Sequence, residues 1–256
     1  MNALRPILAT GVLSWIFLAG LPAVAGDTTL AAEAERKIEN AYHRGDAKAI
    51  ESTNRELDSA LDKAPNDHAL LYTRAFGHYA HATILPPAQR QQSIAEIERA
   101  LDLLEKIKGE PWEAEAAGFQ ANMLGMLIGL KGGMSAMTLG PRSQSTLERA
   151  KAAQPDNPRI LMFEGISLLN RPAAFGGSAE KAAETLARAA EQFSQQKTSA
   201  PGATWGHADT LMWLGMARQK LGDVEGARTA WKDALKVDPG WQYIATTLLA
   251  SLQPKQ

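Results

Sequence analysis

"ADTLMWLGMARQKLGDVEGARTAWKDALKVDP", Ala208 to Pro239, decides the fold. Its first half reads as a helix from about His207 to Leu221 and its second as a helix from about Val224 to Val237. Gly222 is suited to end the first, and Asp223 to cap the second. Leu211, Leu214, Gly215 and Ala217 mark one apolar face; Ala227, Ala230, Trp231, Ala234 and Leu235 mark the facing one. The small residues Gly215, Ala227 and Ala234 allow close approach, and Leu211, Leu214 and Trp231 fill the space around them. Pro239 closes the unit.

The pattern repeats. An Ala followed five residues later by Pro occurs as Ala60–Pro65, Ala150–Pro155 and Ala234–Pro239, and Leu57, Leu147 and Trp231 each stand three residues before that Ala. Two degenerate copies lie around Ile97–Ala100 and Leu186–Ala189. The marker alanines 60, 100, 150, 189 and 234 are spaced by 40, 50, 39 and 45 residues. Beyond residue 25, valine occurs only at Val224 and Val237, while Ala, Leu, Glu, Lys, Arg and Gln dominate. That is a helix-forming vocabulary, and no period-two strand pattern competes with it.

Leu211, Leu214, Gly215, Ala227, Trp231, Ala234 and Pro239 together resemble the tetratricopeptide repeat (TPR), a helix-turn-helix unit with a period of about 34 residues. Arg218 stands where that pattern usually has Tyr. The resemblance implies an all-α, right-handed α-solenoid of about five TPR-like helix pairs. The segments "DNPRILMFEGISLL", "PAAFGG" and "WGHAD" further resemble a group of exported bacterial TPR proteins, which implies an exported location and no activity.

The long spacings point to insertions between paired helices. "RPAAFGGSAEKA", residues 171–182, aligns Gly177 with Gly222, so residues 171–175 are extra. Comparable loops are expected at "HATILPPAQRQQ" and "GLKGGMSAMTLGPRS". Equivalent loops of a solenoid emerge on one side, so these three should share an edge. After Pro239, the stripe Trp241, Ile244, Ala245, Leu248, Leu249 and Leu252 reads as a helix capping the apolar end of the stack.

Residues 1–25 carry Arg5, an uncharged apolar run from Ile7 to Leu21 and the small-residue site Ala23-Val24-Ala25. This is the three-part pattern of a cleavable signal peptide, with cleavage before Gly26 and a periplasmic or secreted product. The run is shorter than the roughly 20 residues of a spanning helix, so no stable membrane insertion is expected after cleavage. No Cys is present, which excludes a thiol nucleophile, a lipid-anchored cysteine and disulfide support. Without Arg5 the chain has 26 basic and 28 acidic residues, a balance that does not favour nucleic acid. The expected product is a TPR-like α-solenoid domain over residues 26–256.

No nucleophile elbow, zinc-protease motif, phosphate loop or dinucleotide fingerprint occurs, so a non-enzymatic role is expected, with no cofactor and no metal site. His43, His68, His78, His81 and His207 are the histidines. His78 and His81 stand three apart on a helix but lack a third ligand. Met123 and Met126, then Met134 and Met137, are spaced like soft Cu(I) ligands, and equally like fillers of irregular helix packing. Phe175 and Trp205 read either as packed loop residues or as aromatic contacts for a partner.

Helix positions that line the concave face of TPR arrays map onto Tyr72, Phe76, Tyr79, Phe119, Asn122, Met126, Arg159, Met162, Asp209, Met212, Met216 and Gln219. Left open, this aromatic, Met-rich groove would take an apolar protein or peptide segment. Covered by inserted loops or the C-terminal helix, the same residues would be core. The expected function is therefore an exported scaffold binding a protein or peptide through the groove. The alternative is a periplasmic small-molecule or Cu(I)-binding protein, such as an accessory component of a solute transporter.

Overall fold

Side-chain caps start five helices: Asp46, Asp67, Asn157, Ser178 and Asp223 each accept a backbone N–H from the first turn that follows. The computed structural model describes residues 27–195 and 203–252. Its long helices pair in chain order: α1 (Asp27–Arg44) with α2 (Ala47–Leu61), α3 (His68–Ile84) with α4 (Arg90–Leu104), and α5 (Trp112–Lys131) with α6 (Gly133–Ala153). α7 (Pro158–Asn170) then pairs with α8 (Ala179–Ser194), and α9 (His207–Lys220) with α10 (Val224–Val237). The first helix of each pair also packs on the first helix of the next, so the described residues form an all-α helical-repeat solenoid. The proposed signal peptide lies outside the described residues.

The marker positions are the seams of the pairs. Ala100, Ala150, Ala189 and Ala234 are buried, and Ala60 is partly so. In the last pair, Trp231 is fully buried and its indole N–H donates to Met212 O at 3.0 Å. Gly215 makes room for that ring, since a Cβ there would lie 2.1 Å from Trp231 Nε1.

Of the three expected insertions, two are loops and one is helix. Residues 85–89 hold a short 3-10 turn, Pro87–Gln89, and residues 171–178 hold another, Ala173–Phe175. Gly176 adopts φ +87°, and Gly177 is required because a Cβ would collide with Arg171 O at 1.8 Å. "GLKGGMSAMTLGPRS" instead continues α5 and α6, joined through Gly132 at φ +92°, with Pro141 inside α6. Tertiary contacts override the local Gly and Pro signals here. Arg90 bonds Leu130 O, Lys131 pairs with Glu98 at 2.5 Å, Arg142 pairs with Glu105 at 2.5 Å, and Ser143 Oγ donates to Ala121 O.

The C-terminal segment differs from expectation in form. Ile244–Leu248 is a π turn, followed by one short turn of helix, α11 (Leu249–Ser251). Trp241 leads into it and stacks on His43 of α1, with ring centroids 3.7 Å apart, and tilts against Tyr42. The segment packs on α10, at the end of the stack, and also reaches the first pair.

Gly215→Ala is expected to destabilise the protein by about 1–3 kcal/mol, because the buried indole of Trp231 must shift. Urea denaturation measures this. An unchanged midpoint would show that Trp231 yields without cost.

Candidate functional site

The expected groove is filled. Tyr72, Phe76, Tyr79, Phe119, Arg159, Met162, Asp209 and Met212 are buried, and Asn122, Met126, Met216 and Gln219 are half-buried. The filling comes from the segment 203–206 between α8 and α9, a connection not among the three expected insertions. Trp205, fully buried, stacks on Phe76 at 4.3 Å between ring centroids and touches Tyr79, Phe119 and Phe163. Tyr72 and Tyr79 pack on Phe119, which stacks on Phe163. An open apolar stripe is costly, and one tryptophan closes this one.

Two buried charged groups hold the filling segment. Glu35 of α1 accepts from Thr204 N (2.5 Å), Thr204 Oγ1 (2.8 Å) and Trp205 N (3.2 Å). Arg159 of α7 donates to Trp205 O at 3.1 Å and pairs with Glu115 of α5, which also accepts from Asn157 and Tyr72. Burial pushes the Glu35 carboxyl up, and Arg159 and the Thr204 and Trp205 donors offset only part of that rise. Burial opposes the Arg159 charge, yet Glu115 and Glu35 keep its pKa above the ordinary value. Of these, Arg159 is one of the residues expected to line an open groove. Its partners are instead internal.

Three of the five histidines, His43, His78 and His81, fall into two buried sites. His78 Nδ1 lies 2.5 Å from Glu96 Oε2, and His81 lies 3.7 Å from Glu96 and 3.5 Å from Glu51. Burial lowers the His78 pKa; burial alone would raise Glu96, but the His78 bond holds it below its ordinary value. Neutral His78 therefore donates to ionised Glu96, tying α3 to α4. His43, by contrast, stands where the chain ends meet, bonded through Nδ1 to Asp238 at 2.7 Å. Glu39, His43 and Asp209 bring one ligand atom each within 4.8 Å of one another. The Glu39–His43 spacing of four residues on α1 was a visible signal that only the distant Asp209 completes.

The methionines do not share one environment: Met123 is in the core and Met126 is half-buried, while Met134 and Met137 are 82% and 74% exposed. The two loop aromatics also part company. Trp205 is core, but Phe175 is 75% exposed. The turn carrying Phe175 is built from backbone bonds: Phe175 N and Gly177 N to Pro172 O, Gly176 N to Ala173 O, and Ser178 N to Leu168 O. Met134 and Met137 lie just past the turn of the third pair, Phe175 in that of the fourth, and exposed Leu221 and Val224 flank that of the fifth. Lys220 Nζ donates to Leu169 O at 2.9 Å, which links the last two turns.

Trp205→Ala is expected to cost about 3–5 kcal/mol in unfolding free energy and to increase binding of an apolar dye as Phe76 and Phe119 become reachable. Unaltered dye binding would mean that other side chains fill the space. The His78–Glu96 pair predicts acid lability with a definite sign. Neutral His78 contributes stability that is lost as pH falls below 6.5, and ionised Glu96 contributes stability lost as pH falls below 4.5 through its lower folded value. Unfolding free energy measured from pH 7 to pH 4 should therefore fall less steeply in His78→Gln than in the wild type. Parallel profiles would remove the pair from this role.

Among the described residues no helix is long and apolar enough to cross a membrane. No family model matches the chain, and no curated protein matches it. Among solved structures, the HusA haemophore from Porphyromonas gingivalis is similar at 20% identity and a TM-score of 0.57, over 77% of this chain and 96% of that one. A structure of the APC/C hetero-tetramer Cut9–Hcn1 is similar at 16% identity and a TM-score of 0.49, over 88% of this chain and 39% of that one. The likeness to the haemophore is one of fold, that of a helical-repeat solenoid.

Proposed function

We propose that this protein is an exported, non-enzymatic helical scaffold that docks a protein or peptide partner along the edge formed by its helix-pair turns. The observation that carries this reading is Phe175. A large aromatic side chain stands 75% exposed on a turn whose backbone is hydrogen-bonded four times. A rigid, pre-formed apolar contact loses little entropy when a partner covers it. Met134, Met137, Leu221 and Val224 extend apolar character along neighbouring turns, and thioethers adapt to varied partner shapes. The partner surface that fits is apolar, with few charges. Export rests on the signal-peptide pattern of residues 1–25.

The methionines divide between core and surface, so no single site gathers all four. Haem is the cargo of the fold neighbour HusA, and the packed interior lends a haem reading no support of its own.

The test is capture from periplasmic extract by wild type and by a Phe175→Ser/Met134→Ser/Met137→Ser variant. All three side chains are exposed, so each change should alter stability by less than about 0.5 kcal/mol. A partner retained by the wild type and lost at least tenfold by the variant supports the edge. Equal retention, or haemin binding that competes with capture, would overturn it.

A further inference from the structure

His43 sits between two carboxylates. Its Nδ1 lies 2.7 Å from Asp238 Oδ2, and its Nε2 lies 3.5 Å from Asp209 Oδ2. A carboxylate accepts and does not donate, so Asp238 fixes a proton on Nδ1 and points Nε2 toward Asp209. Stacking on Trp241 holds the ring in that plane. His43 Nε2 and both Asp209 carboxylate oxygens make no hydrogen bond among the described residues, although these residues are only 2% and 1% exposed. The gap between Nε2 and Asp209 calls for positive charge, supplied by a second proton on His43, which burial opposes and Asp209 and Asp238 favour, or by a cation.

Glu39 supplies the third side. It stands one helical turn before His43 on α1, and one of its oxygens accepts from Gly206 N at 3.4 Å. Burial, with Asp209 adding to it, pushes the Glu39 carboxyl up to about 7. His43 and the Gly206 N–H oppose the rise and Glu35 adds to it; the other groups facing the cluster are the hydroxyls of Tyr42 and Tyr79. Burial raises both phenols above their ordinary range, so both stay neutral; the Tyr42 hydroxyl faces Asp209 and can donate to it, but adds no charge. Arg159, the buried cation nearby, is committed to Glu115 and Trp205 O.

We propose that Glu39, His43 and Asp209 form a divalent-cation site of the Zn²⁺ class, with Asp238 as the group that orients His43. Zinc accepts one imidazole nitrogen and two carboxylate oxygens. Bonds of about 2.0–2.1 Å at tetrahedral angles place donor atoms about 3.4 Å apart. The observed 3.5 Å between His43 Nε2 and Asp209 Oδ2, and the 4.8 Å limit for the whole trio, match that geometry after a small contraction. The Asp238–His43 bond is the carboxylate–histidine support that metal-binding histidines use. Three protein ligands leave the fourth position to water, on the side where half-buried Glu39 reaches solvent. Because α1 opens the solenoid and α9 and the Asp238–Trp241 segment close it, the ion would clasp the two ends together.

This site is independent of the turn edge, and the Phe175/Met134/Met137 variant should leave it intact. The experiment is Zn²⁺ titration of chelator-treated protein against a chromophoric competitor, with thermal unfolding followed in parallel. One Zn²⁺ per chain with micromolar or tighter affinity is expected, with a rise in Tm. Asp209→Asn and Glu39→Gln should each weaken binding more than tenfold and abolish the rise, and Asp238→Asn should weaken it about tenfold. His78→Ala should bind as the wild type does. Glu39→Gln is isosteric and half-buried, so it carries the test if Asp209→Asn does not fold. No stoichiometric binding by the wild type would overturn the proposal, and so would binding that survives both ligand substitutions.

Discussion

Trp205 in the concave interior is the contact on which the rest of the structure depends. A solenoid of helix pairs leaves an apolar inner face that must meet a partner or be covered from within. Here the indole lies among Phe76, Tyr79, Phe119 and Phe163, so rings from three successive first helices converge on one side chain. Its backbone is held from two directions, by Glu35 of the first helix and Arg159 of the seventh. The connecting segment therefore acts as an internal ligand, tying distant repeats into one packed interior.

Charges buried around that segment follow from the same closure. Glu35, Glu115 and Arg159 are removed from water, and each is satisfied mainly by groups on other repeats. Such pairs add little net stability compared with apolar replacements, but leaving one member unpaired is costly. The arrangement therefore selects one relative placement of α1, α5, α7 and the 203–206 segment. At the seam between the first and last pairs, Trp241 against Tyr42 and His43 completes the contact. With the inside occupied, the apolar groups left in solvent lie at the turns, Met134, Met137 and Phe175 among them, where the proposed docking edge runs.

Local sequence was sufficient for the repeat. The helices of the last pair begin and end where Gly222, Asp223 and the spacing of Leu211, Leu214, Ala227 and Trp231 place them. Caps, small residues at seams and helix propensity act over a few residues, and so can be read without knowing the rest of the chain. The exception is residues 129–143, where Gly132, Gly133 and Pro141 suggest a loop and α4 side chains hold a helix. Packing between elements outweighed the local signal.

What the tertiary structure alone decided was which face is inside and what covers it. Tyr72, Phe76, Phe119 and Arg159 were legible as a concave face, but whether that face is surface or core depends on Trp205, from a separate segment. Phe175 and Trp205 have the same local character, an aromatic beside glycine, yet one is exposed and the other is core. Likewise Glu39 and His43 show a suggestive spacing, but Asp209 and Asp238 lie more than 160 residues away in the chain. Helix identity is set by neighbours a few residues apart. Burial and the meeting of distant charges are set by how the superhelix closes, a property of the whole stack.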